Sequence, residues 1–193
     1  IKGKKQENVS ISISHDQKLS DYAVKELPFQ EIVKEKDEEY FVHIPTEDQS
    51  FDETTLFRYS LKELNLEVST GPVVDFRLKE HWLQEPTAES IPIIYSHHFV
   101  DGELQHPKTH KKPNALRPHP EVSKWLMPNG NYVLVKRFSS KEERRRVVAH
   151  IVKPADIKNE YIGFENHWNV FHFKKKGIDP IIVKGLVCFL NST

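Results

Sequence analysis

Hydrophobic periodicity in this chain comes in short runs that switch between strand and helix period in no regular order, and this is what most limits the folds open to it. Asn8 to Ser14 alternates Val9, Ile11 and Ile13 with Ser and Asn, the pattern of a half-exposed strand. Tyr22, Val24 and Leu27 repeat the pattern after a polar loop from His15 to Asp21, so the pair predicts an antiparallel hairpin. An acidic stretch, Glu31 to Tyr40, and the apolar Phe41 to Ile44 complete a polar, loosely patterned first part. From Phe51 the pattern changes. Asp52 caps a helix holding Leu56 and Phe57, and Ser60 with Glu63 makes a capping box ahead of Leu61 and Leu64. Glu67 to Arg77 reads as extended chain broken at Gly71 and Pro72, and Leu78 to Gln84 as a helical turn. Ile91 to Tyr95 is a short strand that Pro92 assigns to an edge or a strand start.

Tyr132 to Val135 is a buried-strand run, Ser139 to Arg144 a charged turn or short helix, and Arg146 to Val152 a second strand. Asn131 to Val152 is therefore predicted as a hairpin with a basic tip. Trp168, Val170 and Phe171 mark another strand, and Asp179 at N-cap with Pro180 at N1 starts a terminal helix. Without regular strand–helix alternation, the expected class is α+β: mixed, mainly antiparallel strands with a few short helices and a C-terminal helix. The expected division is an N-terminal hairpin and linker over residues 1–50 and a main domain over residues 51–193.

Charge locates a partner. The 28 Lys and Arg balance 28 Asp and Glu. Yet residues 1–70 hold 9 basic and 15 acidic side chains, while residues 71–193 hold 19 and 13. Between residues 104 and 150 the chain carries 11 basic side chains against Glu121, Glu142 and Glu143, a stretch suited to a polyanion. The lone Cys188 forms no internal disulfide or zinc–thiolate cluster, which fits a reducing compartment. No apolar run reaches the roughly 18 residues of a membrane span, and no signal-peptide core follows the first lysines, so a cytoplasmic protein without membrane contact is expected. The start at Ile1 and the apolar helical pattern running to Leu190 read as a piece of a longer chain.

Several chemistries are not encoded. Glycines at 3, 71, 102, 130, 163, 177 and 185 make neither a GxGxxG nor a Walker loop. His97, His98, His106 and His110 lie in a Pro-, His- and Lys-rich region, His97 to Asn131, with little periodicity, and are read as solvated loop histidines rather than metal ligands. A connection of that length without periodicity is functional or mobile. Asp156 and Lys158 match the terminal DxK of a metal-dependent nuclease, but so do Asp16 and Lys18, and no Pro-Asp pair precedes either.

Five segments taken together are distinctive: Ser69 to Arg77, Lys111 to Asn114, Tyr132 to Arg146 (YVLVKRFSSKEERRR), Gly163 to His172 (GFENHWNVFH) and Lys184 to Thr193 (KGLVCFLNST). In order and letters they resemble the C-terminal region of TaqI-like Type II N6-adenine DNA methyltransferases, bacterial restriction–modification enzymes grouped with the AccI-type modification methylases. The resemblance implies methyl transfer from S-adenosylmethionine to a flipped adenine in a catalytic domain missing from this chain, which has no Pro-Pro pair and no Gly-rich cofactor loop. It also implies that residues 51–193 are a target-recognition domain, without catalytic or metal-binding residues of its own, and that the first hairpin ends the catalytic domain.

Recognition of double-stranded DNA needs cations for phosphates and a few polar side chains for base edges. On that basis Lys136, Arg137, Lys141, Arg144, Arg145 and Arg146 are candidates for phosphate and guanine contacts, and Ser139 and Ser140 for short-range donors. Lys111 and Lys112 are placed along the DNA backbone, Asn114 opposite adenine, and Asn166, His167, Asn169 and His172 at base edges. Trp168 and Phe171 are assigned to the core, Glu165 to an arginine partner, and Asp75 with Arg77 to an internal ion pair. The alternatives are a metal-dependent nuclease using Asp156 and Lys158, and an RNA- or protein-interaction module.

Overall fold

The computed structural model describes residues 7–34, 42, 44, 59–140, 142, 143 and 145–192. The chain divides into two units, residues 1–58 and 59–193. In the first, β1 (Asn8–Ile13) and β2 (Ala23–Pro28) pair antiparallel with Asn8 opposite Pro28 and Ile13 opposite Ala23, followed by one turn of helix, α1 (Phe29–Ile32). Two aspartates close the hairpin loop. Asp21 accepts from the Ser14 hydroxyl and from the His15 and Asp16 amides, and Asp16 accepts from the Ser20 hydroxyl and, at 3.0 Å, from the Lys18 amide. The expected hairpin and its loop are thus present. The helix expected at Leu56 and Phe57 falls outside the described residues.

The second unit opens on the expected capping box: Ser60 N donates to Glu63 Oε2 at 2.8 Å and Glu63 N to Ser60 Oγ at 3.2 Å. The helix stops after one turn, because Asn65 takes φ 54° and the Leu66 and Asn65 amides bond back to the Leu61 and Lys62 carbonyls. The strands that follow are β3 (Glu67–Thr70), β4 (Trp82–Leu83), β5 (Ile91–Ile94), β6 (Phe99–Val100), β7 (Glu103–Leu104) and β8 (Ala115–Leu116). After the short helix α2 (Pro120–Ser123) come β9 (Met127–Pro128), β10 (Tyr132–Lys136), β11 (Ala149–Val152), β12 (Tyr161–Phe164), β13 (Trp168–His172) and α3 (Pro180–Leu190). A four-stranded antiparallel sheet has the order β11-β10-β13-β3, and a five-stranded sheet the order β4-β8-β5-β12-β9, in which only β5 and β12 run parallel. The fold is α+β. No helix among the described residues is long and apolar enough to cross a membrane.

Alternation along β10 explains the layering. Val133 and Val135 join Leu66, Phe171, Ile178 and Val183 of α3 on one face, while Tyr132 and Leu134 join Ile94, Ile162, Phe164 and Trp168 on the other. A third cluster, Val73, Leu78, Ile93, Leu116 and Val122, fills the far side of the five-stranded sheet. Trp168, 1% exposed, joins the sheets covalently distant in sequence by donating its indole N–H to the Ile94 carbonyl at 3.0 Å. Pro92 does not mark an edge: β5 lies inside the five-stranded sheet, and its ladder with β12 begins only at Ile93, past the proline. The turn expected at Leu78 to Gln84 lies earlier, as a 3-10 turn over Asp75–His81. At the C-terminal helix the expectation holds, since Asp179 Oδ1 accepts from Ile181 N at 2.8 Å and Pro180 occupies the first helical position.

Gly71 marks the crossing from one sheet to the other. Its amide donates to the Trp168 carbonyl at 2.8 Å, and a Cβ there would stand 2.1 Å from the Glu165 carbonyl oxygen, which is backbone and cannot rotate away. Gly71→Ala is expected to cost about 2–3 kcal/mol of stability through overpacking, read as a lower urea midpoint. An unchanged midpoint would show that the two segments separate freely.

Candidate nucleic-acid interface

The basic segment leaves the sheet where β10 ends and returns at β11, whose register begins at Val135 opposite Ala149. Both ends are anchored. At the first, Arg137 N donates to the His167 carbonyl at 2.8 Å and its guanidinium to the Asn166 carbonyl at 3.0 Å. At the second, the Asn191 side chain forms a pair of bonds with the Ala149 backbone, accepting from N at 2.9 Å and donating to O at 3.0 Å, while Arg145 donates to the Asn191 carbonyl at 3.0 Å. Within the loop, Arg146 donates to the Ser140 carbonyl at 3.3 Å and Lys136 Nζ lies 3.6 Å from Glu143. Arg137, Arg145 and Arg146 remain exposed, and each guanidinium keeps donors beyond the bond named here. Ser140 is exposed and Ser139 half-buried. Lys141 and Arg144 lie outside the described residues.

The turn between β12 and β13 sits against this loop. Glu165, 3% exposed, accepts from His167 N at 3.0 Å, and its other oxygen meets His167 Nδ1 at 2.5 Å, so the imidazole is held in place while 63% of the side chain stays exposed. The partner of Glu165 is therefore His167, not an arginine. Phe138, 66% exposed, lies with its ring centroid 5.2 Å from the Arg137 guanidinium and 6.1 Å from the His167 ring. Two distant motifs thereby yield one cluster: Arg137, Phe138, Asn166 and His167. Phe138 escaped the sequence reading because an aromatic after a buried-strand run looks like one more core residue. Its signal was position, one step past the strand and next to Arg137.

The other assigned residues separate from that cluster. His172 is at the opposite end of β13, 2% exposed, facing the Ser69 hydroxyl at 2.9 Å through Nε2 and accepting from Lys175 N at 3.1 Å through Nδ1. It serves the fold, not a base edge. Asn169 is half-buried, paired in register with Val135 and Thr70. Asn114 is 1% exposed and cannot reach adenine: Oδ1 accepts from Lys108 N at 2.9 Å and faces His98 Nε2 at 3.0 Å, while Nδ2 donates to the Gln84 carbonyl at 2.9 Å and the Lys108 carbonyl at 3.0 Å. Lys112 pairs with Asp75 and stands 5.5 Å from the Tyr95 ring centroid, whereas Lys111 is exposed. Asp75 therefore has Lys112 as its partner, and Arg77 lies over the Phe76 ring at 5.8 Å.

The histidine-rich segment is not a solvated loop either. His98, fully buried, accepts from Tyr95 N at 3.1 Å through Nδ1, so its Nε2–H donates to Asn114, and His106 Nε2 meets the Asn114 carbonyl at 2.8 Å. His97 stacks between Tyr95 and His110, at centroid distances of 5.4 and 3.8 Å. Burial, aided by the neighbouring cationic and imidazole groups, pushes the His98 imidazole down to about 3 and that of His97 down to about 4. Burial also lowers His106, His150 and His172. These rings are neutral in the fold and take protons near pH 6.5 when unfolded, so the unfolded chain binds more protons below that pH and stability falls with it. The urea midpoint is expected to hold above about pH 7 and to decline from about pH 6.5 to 4. A flat profile would mean that these imidazoles reach solvent in the folded chain.

Over 194 aligned positions the chain is 48% identical to the Type II methyltransferase M.BsuBI of Bacillus subtilis, covering 100% of this chain and 39% of that protein. The chain is similar to Type II methyltransferases. With M.PstI of Providencia stuartii, another Type II methyltransferase, it shares 42% identity over 173 residues, 87% of this chain and 34% of that one. The chain thus spans between a third and two-fifths of the length of these relatives. No family model matches it, and no solved structure matches significantly.

The residues of the nuclease alternative are built for other work. Asp156 caps a turn by accepting from Lys153 N at 2.8 Å. With Lys158 it lines a cavity of about 250 Å³ beside His106, and among the residues lining that cavity Asp156 is the one carboxylate. A single acid does not supply the two carboxylates such a metal nuclease needs.

Proposed function

We propose that residues 59–193 are the DNA target-recognition unit of a bacterial Type II modification methyltransferase, of TaqI-like or AccI type, that methylates adenine at N6 from S-adenosylmethionine. In this proposal the unit grips double-stranded DNA, and a catalytic domain outside this chain extracts and methylates the adenine. The observation that carries it is the anchored basic loop, whose exposed Arg137, Arg145 and Arg146 adjoin Asn166, His167 and Phe138. Similarity to M.BsuBI and M.PstI supports it, since both are named as Type II methyltransferases.

Guanidiniums fix register on phosphates, while the amide, imidazole and aromatic face of the adjoining turn have the chemistry of base-edge contact and stacking. The rigid attachment matters because a recognition loop held at both ends loses less freedom on binding. S-adenosylmethionine has no cradle among the described residues: a Cβ on Gly71 or Gly163 would strike Glu165 or Val73, so these glycines admit protein, not a cofactor. Methyl transfer is accordingly assigned elsewhere in the parent protein.

The test is a fluorescence titration with duplex DNA at several salt concentrations. Binding that weakens linearly in log–log form is expected, with about −0.9 per phosphate contact. Absence of binding at low salt would overturn the proposal, and cleavage on adding Mg²⁺ would favour the nuclease.

A further inference from the structure

A second cluster lies on the five-stranded sheet and owes nothing to the DNA reading. The 3-10 turn Asp75–His81 leads directly into β4, which pairs with β8 through Trp82 opposite Leu116. Just past that ladder Arg117 N donates to the His81 carbonyl at 2.7 Å, and the chain then enters α2 with His119 at its N-cap and Glu121 in its first turn. One antiparallel pair therefore delivers His81 from one strand and His119 and Glu121 from the other. A donor atom from each of the three lies within 4.8 Å of the other two, and His81 Nε2 is 3.7 Å from Glu121 Oε2. The two imidazoles stack, with centroids 4.5 Å apart and planes 24° apart.

His81 sets this group apart from ordinary surface residues. It is 8% exposed, and its buried Nε2 has no hydrogen-bond partner among the described residues. A buried polar atom without a partner costs roughly 1–3 kcal/mol, which calls for an explanation. We propose that His81, His119 and Glu121 form a binding site for a divalent late transition-metal ion of the zinc class. Two imidazoles and a carboxylate are a ligand set such ions take, with metal–ligand distances of about 2.0–2.2 Å. Around a tetrahedral ion those distances put donors about 3.3 Å apart, so the observed 3.7 Å closes with a shift of a few tenths of an ångström.

Three protein ligands leave the fourth position to water or another donor. His119 now accepts from Glu121 N through Nδ1 at 3.3 Å, and because a neutral imidazole has one free lone pair, metal binding replaces that long cap. The ion would clip the 3-10 turn to α2. The His97 and His98 cluster is a poorer host, since both His98 nitrogens and His106 Nε2 are already engaged.

The test is titration of the metal-free 193-residue chain with Co²⁺, followed by its visible absorption, and with Zn²⁺ in competition with a chromophoric chelator. One equivalent is expected, with a thermal midpoint raised by excess Zn²⁺ through mass action. His119→Asn keeps a side-chain acceptor at the cap and Glu121→Gln keeps the size, so both should fold. Each is expected to lose about tenfold or more in affinity, and the Zn²⁺-dependent rise in midpoint with it. Failure of the wild type to bind one equivalent, or unaltered binding in both variants, would overturn the assignment.

Discussion

Asn114→Ala is expected to lower the free energy of unfolding by about 3 kcal/mol or more. Truncation strips partners from four groups at once: the Lys108 amide and carbonyl, the Gln84 carbonyl and His98 Nε2–H. His98 is fully buried, so its released N–H has no ready route to water. The side chain also joins segments 30 and 16 residues distant in sequence, so its loss loosens the β4 end and the histidine segment together. Urea unfolding at pH 7.5 measures the change, with Lys111→Ala as the exposed control, expected within about 0.5 kcal/mol of wild type. A loss below about 1 kcal/mol for Asn114→Ala would mean that water satisfies those groups and that the amide is not the tie.

The second large effect concerns DNA. Arg137→Ala combined with Arg146→Ala should remove two phosphate contacts, flatten the log–log salt slope by about 1.8 and weaken binding near 0.1 M salt by about 50-fold. Both side chains are exposed and bond only loop carbonyls, at 3.0 and 3.3 Å, so the urea midpoint should barely move. An unchanged slope with intact folding would remove the loop from the interface, whatever binds elsewhere. Phe138→Ala separates stacking from charge: weaker binding with the slope retained is the signature of a ring on a base.

Legibility in the sequence followed the range of the interactions involved. The first hairpin, the Ser60–Glu63 box, the Asp179 cap with Pro180, and the strands at Tyr132 and Trp168 were readable because period and capping are decided within a few residues. The hairpin carrying the basic loop and the core placement of Trp168 and Phe171 were readable for the same reason. The segment from His97 to Asn131 was not. Its order comes from the Asn114 amide and from pairing with β4 and β5, contacts that leave no periodic trace.

Composition and spacing by themselves determined the α+β class, the absence of a Gly-rich cofactor loop and the concentration of positive charge between residues 104 and 150. Which of those charges face solvent was decided only by tertiary structure. Lys112 is taken by Asp75, 37 positions away, and Lys136 lies against Glu143, while Arg137 is brought beside His167 by the pairing of β10 with β13. His81 meets His119 and Glu121 because β4 and β8 run antiparallel. A side chain's availability depends on which distant atoms reach it first, and those neighbours are set by sheet register and by the burial of three apolar clusters.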